Sequence, residues 1–109
     1  MRQGRMSEEQ AVARNSGFVT KTATATLKVS ENLVYVDSSA GVAITITLPP
    51  AAECFGMIFV IYVIAYSGGI TVSDNSLSRD FSAPTLNGVD DGQALWCDGQ
   101  QWWPISTRT

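Results

Sequence analysis

Ten carboxylates, two cysteines and no histidine are what this chain of 109 residues offers for chemistry. The missing histidine removes Ser-His-Asp and Cys-His nucleophile systems, His-ligated zinc and the usual general base near neutral pH. Cys54 and Cys97 stand 43 positions apart with no metal-ligand spacing. Without secretory context they are expected as buried thiols rather than a disulfide. Asp74-Asn75-Ser76, Asp80 and Asp90-Asp91 place acids in one polar stretch. Loop carboxylates bind hard cations such as calcium, and a pair of them can hydrolyse a glycosidic bond. The spacing here matches no calcium loop, and the same residues are those that solvated turns use. Ser67-Gly68-Gly69 is too short and wrongly flanked for a phosphate loop. The expectation is a non-enzymatic protein with no catalytic residues, no metal and no cofactor.

Aromatic residues offer binding rather than catalysis. Trp96, Trp102 and Trp103 cluster near the end of the chain. Adjacent Trp102 and Trp103 must point to opposite faces of a strand, so one faces the core and the other faces outward. Both are candidates for contact with a partner, since aromatic side chains are enriched at interfaces; core packing accounts for two of the three.

Charge is sparse and uneven. Charged residues make up 16% of the chain, against roughly 25% in an average soluble domain, which hints at surface covered by other chains. Arg2, Arg5, Arg14 and Lys21 against Glu8 and Glu9 give residues 1–21 a net charge of +2, while the remainder carries −5. Nucleic acid is excluded as a partner of the acidic body, because phosphate contacts need Lys or Arg. The basic segment, through Arg2, Arg5 and Arg14, is a candidate for docking on an acidic surface; a solvated terminus is the plainer reading. Residues 1–17 contain no apolar stretch of the signal-peptide kind. The longest apolar run, residues 57–65, is far short of the ~20 residues of a membrane-spanning helix.

Two regions follow from periodicity. Residues 1–21 lack a sustained repeat, although Ser7 to Gln10 fits a capping box for a short helix, and they are read as an extended N-terminal arm. Residues 22–109 are read as one β-domain, an antiparallel β-sandwich or barrel-like fold. Ala23, Ala25, Leu27 and Val29 alternate with polar residues, as in a half-buried strand. Residues 33–36 make a further strand. Val42, Ile44, Ile46 and Leu48 repeat the alternation until Pro49-Pro50 stops it. Residues 57–65 are apolar on both faces, with Ile58, Val60, Tyr62 and Ile64 on one side. Such a strand must be covered on both sides, and these four residues are the candidate oligomer interface; the middle of a closed two-layer fold is the alternative. Ser67-Gly68-Gly69 is expected to turn a hairpin into residues 70–73. Asp98-Gly99 between apolar runs predicts a closing hairpin, and Pro104 places its second strand at an edge.

The order of these pieces resembles a known pattern. VAITITLPP (residues 42–50), the link Ala51-Ala52-Glu53, the apolar strand after Gly56, Gly69-Ile70-Thr71-Val72 and LWCDGQQW (residues 95–102) are similar to the small β-modules of tailed-bacteriophage structural proteins. These modules occur in capsid decoration, cement or head-fibre proteins and in tail fibres. The resemblance spans about residues 33–106 and implies a homotrimer on the outer surface of a virion, made in the host cytoplasm, with no catalytic residues to carry over. Two features depart from it: the more continuously apolar residues 57–65 and the long connection over residues 74–92. A short chain beginning at Met1 with a basic arm favours capsid decoration, in which the protein stabilises the head by bridging major capsid subunits. The alternative is a tail-fibre or head-fibre tip that binds host-surface glycans or a receptor.

Overall fold

The computed structural model describes residues 18–74 and 85–108. Strands dominate, as the alternation predicts: β1 (Phe18–Lys21), β2 (Ala25–Thr26), β3 (Leu33–Asp37), β4 (Ile44–Thr47), β5 (Ile58–Ala65), β6 (Ile70–Ser73), β7 (Thr85–Leu86), β8 (Gly92–Cys97) and β9 (Trp102–Arg108). A 3-10 turn, Ala51–Glu53, follows the Pro49-Pro50 stop. The strands form two mixed sheets, one in the order β1-β3-β5-β8-β9 and the other β2-β4-β6-β7.

From β1 to β6 the chain changes sheet at every strand. Strands of successive passes therefore lie side by side in the same direction, and β1/β3, β3/β5, β2/β4 and β4/β6 are all parallel. The chain winds as a flattened coil. Only β7, β8 and β9 pair antiparallel with their neighbours. This corrects the expected antiparallel pairing. A two-residue repeat tells which face a side chain takes, but not which strand lies alongside. Nor does either sheet close into a barrel: β1 and β9 end one, β2 and β7 the other.

The expected hairpin at Ser67-Gly68-Gly69 is a corner between sheets instead, because β5 and β6 do not pair. Ser38, 1% exposed, holds it. Its hydroxyl donates to the Gly68 carbonyl at 2.8 Å and accepts the backbone N–H groups of Ser67 (3.1 Å) and Gly68 (3.2 Å). The Ser38 N–H in turn donates to the Ala65 carbonyl at 2.9 Å. Gly68 packs so close to the previous corner that a Cβ would fall 2.4 Å from the Val42 carbonyl oxygen. One corner is thus stacked on the next, and β5 is delivered alongside β3.

Two boundaries shift. Phe18–Lys21, placed in the arm by the sequence reading, forms β1 against β3. Residues 1–17 lie outside the described residues. The strand expected over residues 22–29 shrinks to Ala25–Thr26, and side-chain contacts flank it on either side. The Thr24 hydroxyl accepts the Thr45 N–H (3.0 Å), and Glu31 accepts the Lys28 N–H (2.8 Å) while pairing with Lys21 (3.2 Å). The closing hairpin forms as predicted, and β9, which carries Pro104, is an edge strand.

Inward side chains of both sheets share one core. Val34 pairs with Ile61 and Val36 with Val63 in the larger sheet; Ile44, Ile70 and Leu86 form a row in the smaller one. Trp102 fills the end of the core, 5.0 Å from Phe59 in an edge-on contact, and its indole N–H donates to the Pro49 carbonyl at 3.0 Å.

Ser38→Ala is expected to lower stability by about 1–3 kcal/mol, since it strands buried backbone groups of the corner. The check is the urea midpoint. A midpoint equal to that of the unmodified protein would show that the corner does not depend on this hydroxyl.

Candidate interaction surface

The outer face of the five-stranded sheet follows from the same alternation that fills the core. Val34 and Val36 point inward, so Leu33 and Tyr35 point out; Phe59, Ile61 and Val63 point inward, so Ile58, Val60, Tyr62 and Ile64 point out. Strand register aligns these outward residues in rows. One row runs Ile58, Trp96, Trp103; another runs Phe18, Leu33, Val60, Ala94, Ser106. A third carries Tyr35 and Tyr62. Phe18 meets Tyr35 edge-on at 4.7 Å, and Tyr35 lies 6.1 Å from Tyr62. Cross-strand aromatic and aliphatic pairs of this kind stabilise a sheet, yet they leave the face apolar toward solvent. Ile58 is 52% exposed, and Phe18, Leu33, Tyr35, Ile64, Trp96 and Trp103 are exposed as well.

All four candidate interface residues therefore lie on this face. Ile58 and Ile64 are exposed at its ends, and Val60 and Tyr62 are half-buried among their neighbours. Of the two adjacent tryptophans, Trp102 is in the core, which removes it as a partner contact; the Pro49 carbonyl gives its N–H a buried acceptor. Trp103 is outward, and so is its cross-strand neighbour Trp96, so the core takes one of the three tryptophans and not the two expected. Arg2, Arg5 and Arg14 lie outside the described residues. Phe18, Leu33 and Tyr35 join the face only because β3 pairs parallel with β5 and β1 pairs parallel with β3.

A groove of about 200 Å³ opens in this face. Val60, Tyr62, Asp90, Gly92, Ala94 and Ser106 are among the residues that line it. Gly92 sits close against β5, where an added Cβ would come within 3.0 Å of the Ile61 carbonyl oxygen and 3.2 Å of the Tyr62 ring. The Tyr62 hydroxyl donates to Asp90 at 2.6 Å. Asp90 has φ +74°, a left-handed conformation that aspartate tolerates better than most residues. The turn is fixed by the Asn87 N–H on the Asp91 carboxylate (2.8 Å) and the Asp90 N–H on the Val63 carbonyl (2.9 Å).

Asp98 organises the closing turn. One carboxylate oxygen accepts the N–H groups of Gln100 (2.8 Å) and Gln101 (2.9 Å), and the other accepts the Trp103 indole N–H (2.9 Å). The Trp103 bond first, then the two backbone bonds, hold its pKa below the ordinary carboxylate value. This contact sets the orientation of an outward tryptophan.

Neither cysteine is poised for chemistry. Both are buried free thiols. Burial, helped by the proximity of Cys97, pushes Cys54 up to about 11, and burial raises Cys97 too. The Cys97 thiol donates to the Ala51 carbonyl at 3.1 Å. Among the described residues no three of His, Cys, Asp and Glu lie together as a metal site. No helix among them is long and apolar enough to cross a membrane. Asn75, Ser76 and Asp80 lie outside the described residues.

A carboxylate whose folded pKa is depressed stabilises the fold above its unfolded value, about pH 4, and that contribution is lost as pH falls through the folded value. Asp98→Asn keeps one acceptor but turns an N–H donor toward Trp103. Its melting temperature should lie below that of the unmodified protein at pH 7, with the gap narrowing as pH falls below about 4. A gap independent of pH would show that the charge of Asp98 plays no part. No family model, curated protein or solved structure matches this chain.

Proposed function

We propose that this chain is a non-enzymatic structural protein that works by assembling with copies of itself through the outer face of its five-stranded sheet. The observation that carries this reading is the number of large apolar side chains, from Phe18 to Trp103, left exposed on that one face. Fully burying such a side chain contributes about 1.5–3 kcal/mol relative to leaving it exposed, so covering several of them in an assembly is strongly favoured. Contiguous apolar surface of this kind marks an interaction site on a soluble protein.

The setting we propose is the outer surface of a phage head, as a homotrimeric decoration protein that bridges major capsid subunits. Support for it comes from the order of motifs over residues 33–106 and from the basic segment at Arg2, Arg5 and Arg14, which suits an acidic partner surface. We take the two sheets with their common core as a two-layer sandwich, and residues 1–17 as an arm that grips the shell or a neighbouring subunit. A protein that binds only the assembled shell stabilises it by mass action. No nucleic acid, membrane or cofactor enters this reading. The second reading, a fibre tip that binds host-surface glycans, is favoured by one observation: Trp96 and Trp103 are outward neighbours on adjacent strands. Flat aromatic faces stack on sugar rings as well as on protein.

Light scattering across a dilution series should give the mass of three chains. Ile64→Glu should weaken association roughly 10–100-fold, the equivalent of about 1.4–3 kcal/mol, without changing the circular dichroism spectrum of the monomer. Particles lacking the protein should release their genome at a lower temperature. A monomeric mass at every concentration would sink the assembly reading. An unchanged release temperature would sink the cement role, and glycan binding by the purified protein would favour the fibre tip.

A further inference from the structure

A closed ring of three copies cannot be built from one patch that meets itself. Such an isologous contact gives a two-fold pair, whereas a ring needs two different patches that fit one another. This deepens the assembly reading above and rests on it. The groove over Gly92 is one such patch. The other is at the far end of β5, in the turn between the 3-10 segment and the strand. There Phe55 is 79% exposed, the most exposed of the large apolar side chains described.

Phe55 is presented by a rigid turn. The Gly56 N–H donates to the Cys97 carbonyl at 2.8 Å, and the Met57 N–H donates to the Cys54 carbonyl at 2.9 Å. Gly56 takes φ +77°, which lets the chain swing the preceding side chain outward. Behind the ring lies Gly99, whose added Cβ would come within 2.8 Å of the Phe55 ring. The closing hairpin therefore supports the phenyl ring from one side and leaves the other side bare.

We infer that Phe55 of one copy is the knob that fills the Gly92 groove of the next. The sizes agree: the groove holds about 200 Å³, and a cavity of about 150 Å³ suffices for a benzene ring. The chemistry agrees as well. Val60, Ala94 and Gly92 give the groove's lining apolar surface, and Tyr62 and Asp90 line it as well. An aromatic ring has a negative face and a positive edge, so its edge suits a carboxylate. Within one chain Phe55 and the groove lie at different places along β5. The contact is accordingly heterologous and can close into a ring. It is continuous with the apolar face, whose Ile58 follows Phe55 by three residues and whose Val60 and Tyr62 line the groove.

The test uses two variants, one lacking the knob and one with the groove blocked. Phe55→Ala and Ala94→Phe should each yield monomers, with association weakened at least tenfold and melting temperatures close to that of the unmodified protein. When mixed, they should form a two-chain species, because the intact Phe55 of the Ala94→Phe chain fits the open groove of the Phe55→Ala chain. That pair cannot grow into a ring. A Phe55→Ala protein that still forms the unmodified oligomer would overturn the knob while leaving assembly through the face intact. Two monomeric variants that fail to pair on mixing would overturn it too. Should the unmodified protein be a monomer throughout, both the assembly reading and the knob fail.

Discussion

The Ser38 hydroxyl sits where the third strand hands over to the fourth, yet its three hydrogen bonds go to the corner that follows the fifth. It therefore ties two passes of the coil together at the point where each must change sheet. A chain that turns back at Gly68 would pair β5 with β6 and make an ordinary antiparallel meander. Held by Ser38 and pressed against Val42, it crosses instead, and every later strand inherits the consequence. β3 and β5 become parallel neighbours, Val34 and Val36 stack on Ile61 and Val63, and the outward residues of β1, β3 and β5 fall on one surface. The corner thus decides both how the core is filled and which apolar residues are left outside.

How much of this was legible in the sequence depends on what kind of fact is asked for. Face was largely legible: the alternation separates Ile44, Ile46 and Leu48, and Phe59, Ile61 and Val63, from the residues between them, because period two is a property of the strand itself. Val42, grouped with Ile44 by the same alternation, is instead 66% exposed because the strand begins only at Ile44. The Asp98-Gly99 hairpin and the edge position of Pro104 were legible for the same reason, since each rests on backbone chemistry confined to a few residues. Partner was not. Nothing in Ile44 or Ile70 says whether they pair with each other in parallel, because that depends on a corner built by residues 30 positions apart. β1 was hidden because four residues are too few to display a period. Which of Trp102 and Trp103 points inward was undecidable from adjacency alone. It was settled by Pro49, whose carbonyl offers a buried acceptor, and by Asp98, which offers an exposed one.

Asp98 also shows how the surface is coupled to the fold. Its carboxylate closes the β8–β9 turn through two backbone N–H groups and steers Trp103 through a third bond. Gly99 beside it gives space to the Phe55 ring. One tight turn thereby positions two of the aromatic side chains that the molecule presents outward. Neither side chain contributes to the core. Their ordered placement costs conformational entropy, which contact with a partner offsets and contact with water does not.

A β-protein has two ways to associate: it can extend a sheet at an edge, or it can cover a face. The edges described here are all poor templates. β2 and β7 have two residues each and β1 has four, while β9 contains Pro104, which has no N–H to donate, and a register shift opposite Ala94 and Leu95. Short edges, proline and local irregularity are the features that discourage edge-to-edge pairing. The outer face of the larger sheet is the reverse case, being broad and aromatic. A sequence under pressure only to stay soluble would carry Lys and Glu at Leu33, Ile58 and Ile64, where the outward geometry accepts them without cost to the core. With its edges blunted and one face left apolar, the fold offers the proposed assembly that face rather than an edge, and a covered face gives a discrete assembly where a paired edge would give an endless sheet.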